Sequence, residues 1–297
     1  MEIFTLRGMG IHMKVAIMTD TNSGLGQAEA KELGLYLLPM PVLIDSECYF
    51  EGVNLTQEYF FSCQEADRDV TTSQPSPGDV MEMWEKIFAD GYDQLVYLPM
   101  SSGLSSSCES AKGLAAEYEG KVFVADNHRI SVTLIEAAKT ALKLAETGMN
   151  GGEIVKQLEA DAYEASIYIT VNTLKYLKKS GRVTAAGAAL GSALQIKPVL
   201  TIQGGKLDAF AKARGMKKAK RIMSESLKKD IAERFDTTPE ALTIYLAGSG
   251  LTEEEIEEYK AEMALDFPGC KLCYYPLSLS VCAHTGRGAL GVAVCMC

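Results

Sequence analysis

Apolar runs and helical stretches take turns from residue 13 to about residue 147, and this alternation restricts the possible folds more than any other feature of the chain. "KVAIMTD", "QLVYLPM" and "KVFVADN" read as strands, and each leads into a segment of helical composition, the first of which, "GQAEAKELG", stops on Gly34. Strands separated by helices return to the same end of a sheet, so they pair in parallel, with right-handed crossovers that place helices on both faces. A three-layer α/β/α domain is the expected result. Ser76 ahead of Pro77, with Asp79 three residues on, marks a helix start with proline at its first position, and Gly91 marks the stop. "LYLLPMPVLI" is also apolar, but its prolines make it an edge or irregular strand.

After a helix near residues 152 to 164 the pattern changes. "KPVLTIQGGKLDAFAKA" has two strand-like runs around Gly204 and Gly205 and predicts a hairpin. A basic helix, "GMKKAKRIMSESLKKDIAERF", precedes the strand "LTIYLAG", and Thr252 with Glu255 forms a capping box that opens an acidic helix. The C-terminal strands then complete a mixed sheet. The expectation is an α/β protein of two domains: an extension at 1–12, a parallel-sheet α/β domain at 13–167, and a two-layer α+β domain at 168–297. A ligand would sit between or beside them.

Composition narrows the partners. With 39 acidic against 29 basic residues, a formal charge of −10 leaves the chain repelled by nucleic acid and by anionic membranes. No segment approaches the roughly 20 apolar residues that span a bilayer, and no secretion signal precedes the first strand, so a cytoplasmic protein without stable membrane insertion is expected. The chain has 8 cysteines, including Cys270 and Cys273 in a CxxC, but the remaining spacing fits no standard zinc pattern. Buried, unpaired cysteines in β-rich sequence are the simpler reading, with no metal and no cofactor.

"YLPMSSGLSSSCESA", residues 97 to 111, ends a strand and breaks into serines around Gly103 before a helix expected to begin near Ser105. Free amides and the macrodipole at a helix N-terminus, supplemented by hydroxyls, suit a carboxylate or phosphate. The same serines also suit simple capping and turn formation. A second hydroxyl cluster, "TTSQPS" at 71–76, is placed in a loop before another helix, and such loops gather at the carboxyl ends of parallel strands.

"TSQPSPGD", "SSGLSSS", "LKKSGRV", "KPVLTIQGGKL", "KARGMKKA" and "HTGRGALGV" follow one another in the order and approximate spacing of the DegV family. The chain resembles these bacterial fatty-acid-binding proteins, partners of fatty acid kinase, over residues 13 to 297. The resemblance implies a long-chain fatty acid in an apolar channel, presented to a separate kinase for acyl phosphate formation, in a protein that is itself a carrier and has no catalytic residue. It implies carboxylate ligands at Thr72, Ser105 and His284, with Ser73, Ser106 and Gly103 as secondary binding candidates. Arg182 and Arg214 would face the phosphate or the kinase, although surface charge or a helix C-terminus explains them equally well. His284 is expected in a glycine-rich turn. Ser106 replaces a glycine usual in the family, and "NHRISVTL" lacks the family's glycines after the third strand, which bears on channel shape and acyl-chain choice.

Two other functions fit the residue types. Ser105, His284 and Asp126 have the chemistry of a serine hydrolase triad acting on a lipid-like ester, though no G-x-S-x-G elbow surrounds Ser105. A carrier of some other amphipathic carboxylate is indistinguishable from a fatty-acid carrier by sequence.

Overall fold

A computed structural model of the chain describes residues 13–190, 196–235 and 237–296, so the expected extension at 1–12 lies outside the described residues. The chain begins with β1 (Val15–Asp20), α1 (Gln27–Glu32) and β2 (Tyr36–Leu38). It continues through β3 (Pro41–Ile44), β4 (Glu47–Phe50), α2 (Gln57–Glu65), β5 (Val70–Thr72), α3 (Pro77–Ala89) and β6 (Gln94–Leu98). Then come α4 (Ser107–Ala115), β7 (Val122–Val124), α5 (Val132–Glu146), α6 (Gly151–Ala160) and β8 (Ala165–Thr170). The rest is α7 (Lys175–Ser180), α8 (Ala185–Ala189), β9 (Ile196–Ile202), β10 (Asp208–Arg214), α9 (Met216–Arg234), β11 (Thr243–Gly248), α10 (Glu253–Asp266), β12 (Lys271–Pro276), α11 (Leu279–Thr285) and β13 (Leu290–Cys295).

Strands β2-β1-β6-β7 form an all-parallel sheet, as the alternation demanded. Strands β10-β9-β8-β13-β11-β12 form a mixed sheet in which only β11 and β12 run parallel. Side chains alternate across both sheets with the period of two that pleated strands impose. On β1, Ala16 and Met18 join Trp84 of α3 and Cys108 of α4 in an outer core, while Val15 and Ile17 face inward. On β13, Val292 and Val294 meet Met223 of α9 and Tyr259 of α10, while Ala293 faces the other way.

Between the two sheets lies α5, which packs against β1 and β6 on one side and β11 and β13 on the other. Its buried residues are chiefly small or β-branched, among them Val132, Thr133, Ala137, Ala138 and Ala141, which lets two sheets approach one helix. The molecule is therefore layered helix, parallel sheet, helix, mixed sheet, helix, and a single inner core runs through both halves.

"LYLLPMPVLI" proves to be two strands. β2 ends the parallel sheet, and β3, starting at Pro41, is the centre of a small antiparallel sheet, β4-β3-β5, not expected from the sequence. Pro39 and Pro41 separate them because neither can donate to a ladder. The capping signals hold: Ser76 Oγ accepts from Asp79 N at 3.1 Å, and both arms of the Thr252–Glu255 box form.

Candidate functional site

The order of the parallel sheet reverses between β1 and β6, since the chain leaves β1 toward β2 on one side and later reaches β6 on the other. Loops leaving the carboxyl ends of such neighbours part from one another and open a crevice. Here the loop after β1 supplies Asn22, the loop after β6 supplies Leu104, Ser105 and Ser106, and the loop after β7 supplies Ile130; all line one cleft. The small antiparallel sheet and α11 close its far side with Thr72, Ser73 and Gln74, and with Ser280, Val281 and His284.

Thr72 is the last residue of β5, not a loop residue as expected, so its side chain is fixed by strand pairing with Val42. Helix α11 packs on β3 and β5 and brings His284 to it: Thr72 Oγ1 and His284 Nε2 are 2.9 Å apart. His284 lies in the last turn of α11, and the glycine-rich turn begins only at Gly286. The helix escaped notice in the sequence because it is short and nearly all buried, without an amphipathic period. Ser278 Oγ caps it by accepting from Val281 N at 3.3 Å, and the Glu51 carboxylate accepts from Leu279 N at 2.8 Å.

Burial and the positive charge of Arg182 push the His284 imidazole down to about 4, so it is neutral at pH 7, and its Nδ1 has no partner. Arg182 lines the same cleft. Its guanidinium donates to Leu104 O at 3.2 Å and Ser180 O at 2.6 Å, and it makes no ion pair among the described residues. A positive charge held by carbonyls, beside a hydroxyl and a neutral imidazole, is a receptor for one negative group.

Helix α4 starts at Ser107, two residues later than expected, and Ser105 occupies the turn before it: its Oγ lies 2.8 Å from Ser107 Oγ and accepts from Ser107 N at 3.2 Å. Ser105 therefore holds the first amide of α4 and lines the cleft at once, while the N-cap residue, Ser106, makes no cap bond of its own. Gln74, missed in the sequence, ties the two hydroxyl clusters together, its Oε1 accepting from Ser106 Oγ at 2.8 Å and from Ser110 Oγ at 3.0 Å. Ser106 has φ −77°, comfortable for any L-residue, so replacing glycine there imposes no backbone strain.

Three expected residues lie elsewhere. Gly103 is outside the cleft and instead lets the loop press on the hairpin between β9 and β10: a Cβ there would stand 2.5 Å from Gly204 O. Arg214 ends β10 and lines an open basic groove with Lys217 and Arg221 at α9. Asp126 accepts from Ser102 N at 3.3 Å and lies 3.4 Å from His128 Nδ1. With Thr72 on the His284 Nε2 and nothing on its Nδ1, the hydrolase triad is not assembled.

The polar cleft, about 660 Å³ including open solvent at its mouth, adjoins a second space between the two sheets, about 550 Å³ counted in the same way. Leu104, Ile130, Leu207, Val281 and Thr285 line both. The inner cavity is walled by Ile167 and Ile169 of β8, Ile202 of β9, Tyr245 of β11 and Ala293 of β13, the inward faces of the mixed sheet. A charged mouth beside an apolar interior fits an amphipathic anion.

Known proteins resemble the chain over nearly its whole length. A DegV domain-containing protein of Deinococcus radiodurans is 31% identical over 283 residues, covering 95% of this chain and 98% of that one. Among solved structures, a DegV family protein from Thermus thermophilus, described by its fatty acid binding, superposes with a TM-score of 0.84 at 27% identity, covering 96% of this chain and 100% of that one. A fatty acid binding DegV family protein from Streptococcus agalactiae superposes with a TM-score of 0.79 at 26% identity, over 95% and 99% of the two chains. The family model described as an uncharacterised protein, DegV family, matches residues 14–296, the whole of both sheets and every residue of the cleft, and the chain belongs to the DegV family.

Proposed function

We propose that the cleft holds a long-chain fatty acid, with the carboxylate at Thr72, Ser105 and His284 beside Arg182, and the tail in the cavity between the sheets. The observation that carries this reading is the adjacency of the two cavities: the polar mouth and the apolar interior share five lining residues. A neutral imidazole can donate to a carboxylate oxygen without the cost of a buried charge, while Arg182 supplies the countercharge. The related proteins that bind fatty acids support the same ligand class.

The protein then acts as a carrier. Its chain has no P-loop, so the bound carboxylate is offered to a separate fatty acid kinase, with Arg182 steadying negative charge as phosphate is transferred. Arg214 lies outside the cleft and would meet the kinase rather than the fatty acid.

Native mass spectrometry of lipid-stripped protein incubated with stearate tests the reading. One bound acid per chain is expected, and Thr72→Val or Ser105→Ala should weaken binding by about 1.5–3 kcal/mol, the worth of a hydrogen bond to a charged group. Acyl phosphate should form with ATP only when the kinase is added. Protein that takes up no fatty acid would overturn the ligand assignment, and acyl phosphate made without a kinase would overturn the carrier role.

A further inference from the structure

Two buried polar atoms stand at the neck between the mouth and the apolar cavity, and a plain alkyl chain gives them nothing to bond. Asn22 is 3% exposed and lines the mouth; its Oδ1 accepts from Ser280 Oγ at 2.6 Å, and its Nδ2 lies toward the Asp20 carboxylate, which engages at most one of its two N–H groups. The Asp20 carboxylate fixes which end of the amide faces it, and the second N–H of the Nδ2 remains without a partner. Ser131 is 9% exposed and lines the apolar cavity, and its Oγ also has no partner.

Ser131 is the N-cap of α5, where a serine hydroxyl ordinarily accepts from the helix amides. Here the backbone is turned to φ 55° and ψ −139°, and no cap bond forms. A non-glycine residue in this region stores strain, a frequent mark of ligand sites. The two residues are joined, since Ser131 N donates to Asn22 O at 3.0 Å. Their neighbours Ile130 and Val281 line both cavities, which sets the pair at the junction.

Other described residues with an unpaired buried polar atom, such as Trp84, Tyr97 and Thr170, line neither cavity, and His284 is already assigned to the carboxylate. An unsatisfied buried group costs about 1–3 kcal/mol, so the unpaired Ser131 hydroxyl, with the spare Asn22 N–H, favours an occupant that bonds them. We propose that the ligand is an oxygenated fatty acid, with a hydroxyl or keto oxygen on its chain, and that Asn22 and Ser131 receive this oxygen at the neck. The proposal rests on the fatty-acid reading above and names the class of acid. A keto oxygen accepts from both side chains; a hydroxyl accepts from one and donates to the other.

The test is calorimetric titration of the lipid-stripped full chain with stearate, 3-, 10- and 12-hydroxystearate and 10-oxostearate. At least one oxygenated acid should bind roughly tenfold tighter than stearate, a preference of the size one satisfied hydrogen bond supplies. Ser131→Ala and Asn22→Ala should each narrow that gap, whereas Thr72→Val should weaken stearate and the oxygenated acids alike. Ser131→Ala removes one atom, so it remains decisive should Asn22→Ala fail to fold. A 10-oxostearate preference without a hydroxystearate preference would identify the oxygen as acceptor only and support the proposal. Stearate binding as tightly as every oxygenated acid, or a preference unchanged in both variants, overturns it while leaving the fatty-acid reading intact; failure of every acid to bind overturns both.

Discussion

His284 shows how a residue's surroundings set its chemistry. An imidazole in water titrates near neutrality, but burial and Arg182 lower this one from 6.5 to about 4. Between those values the unfolded chain holds a proton that the folded one refuses, so the stability associated with His284 is complete above pH 6.5 and is lost as the pH falls toward 4. Asp20 and Glu51 work in the opposite sense, because burial raises them to about 6 and about 7, and what they contribute at low pH is lost as the pH rises through those values. The useful measurement is therefore a difference. Urea unfolding of wild type and His284→Gln between pH 4 and 7 should show wild type losing ground to the variant on acidification; a constant difference would mean that His284 is not held neutral. Thr72, Ser105 and His284 came from motif resemblance, and the structure gathers all three around one cleft. Asn22 and Gln74 had no such signal, because an amide reads as polar surface until its partners are known, and one partner of Asn22, Ser280, is 258 residues away.

At the scale of elements, the cleft depends on the contact between the serine loop and the turn joining β9 to β10. Ser101 Oγ donates to Gly204 O, and Gly103 backs onto the same turn. In Gly103→Ala the new methyl would meet Gly204 O at 2.5 Å and Gly205 Cα at 2.7 Å, both backbone atoms that yield only if the loop or the turn moves. Overpacking of this kind costs about 1–3 kcal/mol. Chemical denaturation should show that loss together with weaker fatty-acid binding, since Leu104 and Ser105 follow directly; stability equal to wild type would mean the loop is free to shift. The strand and helix signals were legible because they are local. Helix α11 and the β4-β3-β5 sheet were not, since a seven-residue buried helix and a three-residue strand leave almost no period to read.

For the whole molecule, α5 is the joint. Its two sides pack on different sheets, so unfolding either half would expose the core of the other. The lone Trp84 reports on the outer core of the parallel sheet, and far-ultraviolet circular dichroism reports on both halves. In urea the two probes should give coincident transitions, as a single cooperative unit requires, and Ile135→Ala should lower the midpoint by both probes, with a cost of about 2–5 kcal/mol for a fully buried side chain. Separate midpoints would show that the halves unfold independently.

By itself the sequence determined the parallel sheet, the β9–β10 hairpin, the helix caps and the family, because each is written in neighbouring residues or in a run of short motifs whose order survives without any fold. Tertiary structure decided the rest. It placed α5 between two sheets, moved Arg214 away from the cleft and Arg182 into it, and left an Asn22 N–H and the Ser131 hydroxyl unpaired at the neck. Those are facts about distance between segments far apart in the chain. Local propensity carries no information about them, because whether a buried polar atom is satisfied depends on which surface arrives opposite it.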